Sequence, residues 1–463
     1  MKKTYRRLAA AIMAALTAVP AVAQEFRTSY FMQTSHFRHQ MNPALLDRPY
    51  FSALLGNVNV GTTGNVGVGD FVYKLDGNPR YDLTTFMSPT VSPEAFLGNI
   101  HDKNRLDIYA NYNIFSTAFR GFGGTNLVEL NARSNTNLSL PGELFEFAKT
   151  AGARTEYQLH DIGLRSQNYL ELAFGHSRRI DDRLTVGGKV KLLLGIAYAD
   201  FSVDRLDVTM NGDAWRVAGD ARLKSAVMGS KFSHENADKN APDGRPRVNG
   251  LDDVGFGLAG FGLAFDLGAA YKVTDDLTVS AGLTDLGFIS WNKARHASSR
   301  GDYTFDGFSD IYAGGTDTGD NKLGDQFERL GDDLEELFSV YDDGEKSATQ
   351  ALAATLNAGA EYTLPAYRPL RFGFLYTGRY SGLFTYHQAM LSATVRPVGL
   401  VEVSASTAVG STGCTVGGAV ALKFGPVNVY AGTDRFFGKV SKSVPLPISK
   451  ANSSVNLGVT FGL

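Results

Sequence analysis

The last nine residues, Val455 to Leu463, read V-N-L-G-V-T-F-G-L, with an apolar side chain at every odd position. Side chains of a β-strand point alternately to its two faces, so this segment has one apolar face and one compact polar face. Transmembrane β-barrels need this alternation, because one face of each strand meets lipid and the other faces the lumen. The segment therefore predicts a membrane-spanning strand. Phe461 near its end resembles the terminal signal that such barrels present to their assembly machinery.

The first 23 residues have the three parts of a secretory signal peptide. Lys2–Arg7 supplies four basic side chains, Leu8–Val19 is apolar, and Ala21–Ala23 is an A-x-A cleavage box. The apolar part is too short for a membrane anchor, so we expect the mature chain to begin at Gln24. Cleavage takes four of the 45 basic residues, leaving 41 against 47 acidic ones, a net charge of −6. The mature chain has no basic field that would attract nucleic acid.

Composition after the signal peptide agrees with a barrel and excludes a helical membrane protein. No run of about 18 apolar residues follows, as a spanning helix would need. The 51 glycines, 30 phenylalanines and 20 tyrosines suit close strand packing and aromatic girdles. Cys414, the single cysteine, cannot form an internal disulfide, and it lies in an alternating run that indicates a wall residue.

Alternating segments recur along the chain and indicate between about 14 and 18 strands, of which we expect 14. The short connections carry turn-forming residues, at Asp181-Asp182, Thr274–Asp276, Pro397–Gly399 and Gly425-Pro426. The long connections are polar, at Met228–Asp253, Lys293–Thr349 and Phe436–Asn452. If strands alternate in direction from a periplasmic C-terminus, all the short turns are periplasmic and all the long loops external, as in known barrels. The alternation breaks in Tyr50–Tyr73 and Asp204–Val227, where strands are hardest to assign.

Three segments lack the wall pattern. Glu25–Asp47 shows no alternation, so residues 24–49 are expected to form an inner plug or periplasmic lead-in before a barrel over 50–463. Pro141–Gly152 begins with proline, ends with glycine and predicts a short helix between strands. Leu323–Tyr341, in the longest external loop, predicts a second helix with one apolar face and one acidic face.

The apolar face of that second helix has two interpretations. It either packs onto the mouth of the barrel or lines an entry site for a hydrophobic ligand. In the second case the candidate ligand-binding residues are Phe327, Leu330, Leu334 and Leu337.

No motif in the sequence indicates catalysis, a metal site or a cofactor. Gly255–Gly260 matches G-x-G-x-x-G, but the run continues as a strand, without the βαβ context of a nucleotide site. Asp317, Asp320 and Asp325 lack the spacing of an EF-hand and indicate a solvated acidic loop. The eight histidines occur without G-x-S-x-G or H-E-x-x-H. We therefore expect no enzymatic activity.

Several stretches resemble a family of outer-membrane barrels known only as a domain of unknown function. They are Ser29–Met32, His39–Ala44, Leu55–Gly61, Asp266–Tyr271 and Thr284–Ile289. The Asn-Pro-Ala box and the two Asp-Leu-Gly motifs are also similar to long-chain fatty-acid transporters and to barrels associated with type IX secretion. In those transporters an inner hatch blocks the lumen and hydrophobic ligands leave sideways through the wall. The resemblance implies such a mechanism here, but no ligand contacts carry over, because the transporters' contacts lie in loops that do not align.

These patterns predict a monomeric β-barrel in the outer membrane of a Gram-negative bacterium, inserted by the barrel assembly machinery. The favoured function is binding or uptake of a small hydrophobic or amphipathic compound. The alternative is a barrel that anchors a surface or secretion complex without transport. A transporter needs an apolar pocket leading from the outer loops, whereas an anchor can have a sealed lumen.

Overall fold

The computed structural model of the chain describes residues 26–54, 56–74, 83–150, 153–211, 214–237, 240–241, 243–299, 301–305, 338–436 and 453–463. The predicted signal peptide and most of the predicted helix Leu323–Tyr341 lie outside these residues.

Strands dominate the described residues. They are β1 (Tyr50–Ala53), β2 (Val58–Gly64), β3 (Val72–Lys74), β4 (Leu83–Thr85), β5 (Lys103–Gly121), β6 (Gly124–Pro141), β7 (Glu156–Arg179), β8 (Leu184–Asn211), β9 (Ala214–Val227), β10 (Lys231–His234), β11 (Val248–Asp252), β12 (Gly260–Lys272), β13 (Leu277–Ser298), β14 (Gly301–Phe305), β15 (Tyr341–Ala351), β16 (Ala354–Thr363), β17 (Leu370–Tyr380), β18 (Tyr386–Val398), β19 (Val401–Gly410), β20 (Gly413–Phe424), β21 (Val427–Thr433) and β22 (Ser453–Gly462). The α-helices are α1 (Val68–Phe71), α2 (Pro93–Leu97) and α3 (Gly142–Thr150), and 3-10 turns cover Arg27–Ser29, His36–Gln40, Pro43–Leu45 and Pro365–Tyr367.

Eighteen of the described strands form one antiparallel sheet that closes on itself, because β22 pairs with both β1 and β2. Three positions around the wall are each built from two strands, namely β1 with β2, β9 with β12, and β15 with β16. β14 prolongs the sheet beside β9. The described chain is thus a closed barrel of 14 wall positions, which confirms the predicted fold and strand number.

The predicted alternation of the last strand is present in the structure. Leu457 is 49% exposed and Phe461 42%, whereas Asn456 and Thr460 are buried on the inner face. Outward-facing apolar residues such as Phe261 on other strands continue this band around the barrel. The apolar faces therefore meet lipid and the polar faces line the lumen, as a membrane-embedded barrel requires.

The two ends of the barrel differ. All four predicted short turns lie at the same end as Leu463, which we call the turn end. The opposite end, the loop end, carries the longer connections, including α1, α2, the β3–β4 hairpin and α3. Phe86 and Phe96 stack there at 4.3 Å between ring centroids, and Phe145 of α3 packs against both. The helix predicted over Pro141–Gly152 is thus confirmed as α3.

The loops depart from prediction in two places. Met228–Asp253 does not join two neighbouring strands. It interrupts one wall position, because the 28-residue β8 pairs with β9 along its loop-end half and with β12 along its turn-end half. The connection predicted over Lys293–Thr349 is shorter, since β13 extends to Ser298 and β15 begins at Tyr341. Asp204–Val227 forms the end of β8 and all of β9, and its alternation breaks at a bulge between Val203 and Arg205.

Within the part of the chain described above, no helix has the length and apolar character needed to cross a bilayer.

Cysteine labelling tests the direction in which the barrel crosses the membrane. In a Cys414→Ser background, we expect a cysteine at Asp243 to react with a membrane-impermeant thiol reagent on whole cells, because this residue lies in the interruption at the loop end. Cysteines at Asp182 and Asp276, in turns at the other end, should react only after the outer membrane is opened. Reaction of the turn positions on intact cells would reverse the orientation.

Candidate functional site

The N-terminal segment, residues 26–49, lies inside the barrel. Every residue from Phe26 to Ala44 except Gln33 is buried. The 3-10 turn Arg27–Ser29 packs on β19 and β20, whereas the turn Pro43–Leu45 packs on β7, β8 and β12. These strands stand on opposite sides of the wall, so the segment crosses the lumen from side to side.

Two wall carboxylates hold the main chain of this segment. Asp434 accepts hydrogen bonds from the backbone N–H groups of Arg27 (2.9 Å) and Thr28 (2.7 Å) and from the Thr28 hydroxyl (2.6 Å). Glu402 accepts from the N–H groups of Gln33 (3.1 Å) and Thr34 (2.8 Å). Hydrogen bonds to a charged acceptor are stronger than neutral ones. The segment is therefore fixed near both ends of its first ten residues.

His39 ties the segment to the opposite wall. Its Nδ1 is 2.9 Å from the Lys189 ammonium and its Nε2 is 2.7 Å from the Tyr50 hydroxyl. Burial, with a further contribution from Lys189, lowers the pKa of His39 to about 3. A neutral ring can accept from Lys189 through Nδ1 and donate to Tyr50 through Nε2. Lys189 also forms a 2.8 Å ion pair with Glu129, so the charge that faces His39 is balanced.

The Asn-Pro-Ala box forms a turn that fits a recess in the wall. The Asn42 side chain accepts a hydrogen bond from the Ala44 N–H (3.0 Å) and donates to the Ala269 carbonyl (3.2 Å). A Cβ at Gly268 would lie 2.9 Å from Pro43 Cδ, and one at Gly282 would lie 2.9 Å from Asn42 Cα. Both positions are glycine because the turn approaches the wall backbone too closely for a side chain.

The two Asp-Leu-Gly motifs meet beside this turn around one buried lysine. The Lys191 ammonium lies 2.7 Å from the Asp285 carboxylate, 2.8 Å from Asp266 and 3.6 Å from Glu171. Asp266 also accepts the Asp285 N–H at 2.8 Å, where Asp285 adopts a left-handed φ of 60°. Buried charges are stable only when paired, so these four residues act as one unit. The motifs that carried the family resemblance thus converge on one region of the lumen.

One cavity in the described lumen is small and polar. This cavity of about 50 Å³ is lined by Arg27, Arg133, Arg379 and three tyrosines, among other residues. A water molecule needs roughly 10–15 Å³ of such space, so the cavity has room for a few waters.

Apolar side chains gather instead at the loop end, in what we call the loop-end cluster. Its buried members are Leu144, Phe147, Tyr157, Leu159, Ile162, Val203, Leu206, Val208, Val217, Ala221, Leu223, Phe232, Val248, Ala297 and Val340. The cluster joins the loop-end halves of β7, β8 and β9 to α3 and to the β10–β11 hairpin. Phe338 packs on its edge, with its ring 5.6 Å from that of Phe201.

The predicted ligand-binding residues Phe327, Leu330, Leu334 and Leu337 lie outside the described residues, so their role remains a prediction. Phe338, from the same predicted apolar face, is described and reaches the loop-end cluster. Among the described residues, no group of His, Cys, Asp or Glu side chains is arranged to hold a metal ion.

Sequence reasoning missed the polar contacts that fix the N-terminal segment. Glu402, Asp434 and Lys191 are single charged residues within or beside alternating strands, and nothing local separates them from other lumen residues. The one available signal was the charge itself. An acidic or basic residue on the inner face of a predicted strand must find a partner in the lumen.

Comparison of the sequence with family models identifies a match to the Family of unknown function (DUF5723) over residues 43–434. The chain belongs to this family. No curated protein matches the sequence.

Several solved structures are similar to this chain at low sequence identity. The toluene transporter TbuX of Ralstonia pickettii is 11% identical, with a TM-score of 0.40 over 91% of each chain. A FadL homologue of Pseudomonas aeruginosa is 11% identical, with a TM-score of 0.37 over 91% of this chain and 92% of that one. The translocator domain of the autotransporter NalP from Neisseria meningitidis is 11% identical, with a TM-score of 0.32 over 89% and 90%. Similarity at this level carries no argument about function.

Replacing Asp434 tests how the segment is held. Asp434→Ala removes the acceptor for two N–H groups and one hydroxyl, and a single hydrogen bond to a charged group contributes about 1.5–3 kcal/mol. We expect faster amide hydrogen exchange across residues 26–34 in the purified, folded barrel. The control is Asp161→Ala, which breaks an exposed ion pair with Lys103 and should leave this exchange unchanged. Equal protection in wild type and Asp434→Ala would show that this carboxylate does not hold the segment.

Proposed function

We propose that this protein binds a small hydrophobic or amphipathic compound at the loop end and takes it up across the outer membrane. The observation that carries the proposal is the loop-end cluster, an apolar core enclosed between three strands and the loops above them. Hydrophobic ligands bind where apolar side chains surround them with few polar groups. The cavity described in the lumen is lined mostly by polar side chains, whereas the loop end offers such a place.

The proposed capture site lies where Phe338 meets this cluster. Phe327, Leu330, Leu334 and Leu337 precede Phe338 in one predicted helix and share its apolar face. A helix that continued from Phe338 would present that face to the edge of the cluster around Phe201. We therefore propose that a ligand is held between this helix and the loop-end cluster.

We further propose that the N-terminal segment is a plug that controls passage. It occupies the lumen through hydrogen bonds, ion pairs and packing, none of which is covalent. A ligand or partner that weakened the contacts at Asp434 and Glu402 would free the segment to shift without opening the wall. In this scheme the protein is a monomer with its loop end outside the cell, and it has no enzymatic activity.

The alternative function, anchoring of a surface or secretion complex without transport, is supported by the filled lumen. The N-terminal segment occupies the described interior, and a polar cavity of about 50 Å³ lies between it and the wall. A barrel that serves only as an anchor does not need an open channel through its lumen. The two functions differ in whether the loop end binds small amphiphiles saturably.

Ligand binding by a double variant separates these functions. Phe327→Asp with Leu334→Asp should remove binding while leaving the barrel folded, because the helix is predicted to lie outside the membrane. Each buried apolar side chain contributes about 1.5–3 kcal/mol, so affinity should fall roughly a hundredfold or more. The measurement is binding of a labelled fatty acid and of N-phenyl-1-naphthylamine to purified protein in liposomes.

The matched control for this experiment is Tyr367→Asp, which changes an exposed aromatic residue at the turn end. It should bind both probes like wild type. Absence of saturable binding by wild type across several amphiphiles would contradict the uptake proposal and favour anchoring.

A further inference from the structure

The segment that interrupts the wall between β9 and β12, residues 228–259, exposes apolar side chains outside the wall. We call this segment the excursion. Val254, Phe256 and Leu258 alternate along its return path, and Phe256 is 92% exposed. Met228, at the start of the excursion, is 50% exposed, and its carbonyl accepts a hydrogen bond from the Gly255 N–H at 2.8 Å. The outgoing and returning arms of the excursion therefore lie side by side. We call Met228, Val254, Phe256 and Leu258 the apolar finger.

The finger leaves the wall at the edge of the lipid-facing band. β12 begins at Gly260, paired with Gly195, and its next outward residues, Phe261 and Leu263, are exposed and apolar. On the loop-end side of this junction, the outward residues Ala221 and Leu223 of β9 are apolar and are covered by the loop-end cluster. The exposed apolar band of this wall position thus ends at the junction, where the finger begins.

We propose that the apolar finger inserts into the lipid leaflet at the loop end, with lipid acyl chains as its partner. The finger continues the apolar surface of β12, which already faces lipid. An aromatic side chain as exposed as Phe256 is costly in water, and lipid at this level surrounds the barrel. This inference concerns the membrane contact of the protein and goes beyond the proposed uptake function.

Insertion would also support the loop-end cluster. Between the two arms of the finger, the chain forms the β10–β11 hairpin, whose Phe232 and Val248 are buried in that cluster. The hairpin is joined to β15 by the bridge between Arg247 and Tyr341 and by the hydrogen bond from the Val248 N–H to the Val340 carbonyl at 2.9 Å. A finger held in lipid therefore restrains a hairpin that covers the apolar core of the loop end.

Depth measurement tests insertion directly. In full-length protein with Cys414→Ser, a spin label is placed at Phe256→Cys and, as a control, at Asp243→Cys in the same excursion. The protein is reconstituted in liposomes of phosphatidylcholine and phosphatidylglycerol. We expect the label at 256 to be relaxed several-fold more by oxygen, which partitions into lipid, than by a water-soluble nickel chelate. The label at 243 should give the opposite ratio.

Two outcomes would overturn the assignment to lipid. Equal exposure of both labels to the nickel chelate would place the finger in water. Shielding of the 256 label from both reagents, with dipolar broadening between labels, would mean that a second copy of the chain covers the finger.

A second measurement tests whether insertion supports the hairpin. Phe256→Ser should make amide hydrogen exchange in residues 231–234 and 248–252 several-fold faster in liposomes. Phe122→Ser is the matched control, because Phe122 is a similarly exposed phenylalanine in a turn at the other end of the barrel. If these amides exchanged at the same rate in Phe256→Ser, Phe122→Ser and wild type, the proposed coupling between finger and hairpin would be contradicted.

Discussion

Main-chain amides in hydrocarbon must find hydrogen-bond partners within the protein, and this constraint determines the rest of the structure. The ladder that runs from β1 around to β22 satisfies it only because the first and last strands pair. Closure separates the faces of every strand, so apolar residues such as Leu457 meet lipid and polar residues such as Asn456 point inward. The inner faces are then crowded with groups that need partners. The N-terminal segment supplies many of them, since its backbone N–H groups meet Asp434 and Glu402 and His39 meets Lys189.

The polar side chains that crowd the lumen also limit which compounds could pass through it. A lumen whose charges are paired across strands, as Lys191 is with Asp266 and Asp285, is poorly suited to a free hydrophobic solute. Apolar side chains are found instead in the loop-end cluster and on the lipid-facing surface of the wall. We therefore propose that a hydrophobic compound is captured at the loop end, and that further movement requires a displacement of the N-terminal segment. A barrel used only as an anchor needs no such displacement.

The regular parts of the fold could be predicted because period-two alternation is a local property of the sequence. It identified the last strand and the strand number. Turn-forming residues identified the turns, and the proline and glycine that bound Pro141–Gly152 identified helix α3. Alternation could not identify the excursion after Val227, because interruption of a wall position depends on the length of β8 and on its two partners. The Asn-Pro-Ala box was noticed as a motif, but its fit against Gly268 and Gly282 depends on the strands that surround it. The ion pairs of Lys191 join strands distant in sequence, so no local pattern indicates which acids it meets.

The central claim, that the N-terminal segment closes the lumen, is tested most directly by conductance in planar lipid bilayers. Full-length mature protein is compared with a variant lacking residues 26–47, after both are shown to be folded by heat-modifiable migration in gels. The account predicts almost no ionic current through the full-length protein and a stable open channel for the variant, because a polar lumen without the segment fills with water. Equal currents through the two proteins, or no current through a folded variant, would contradict it.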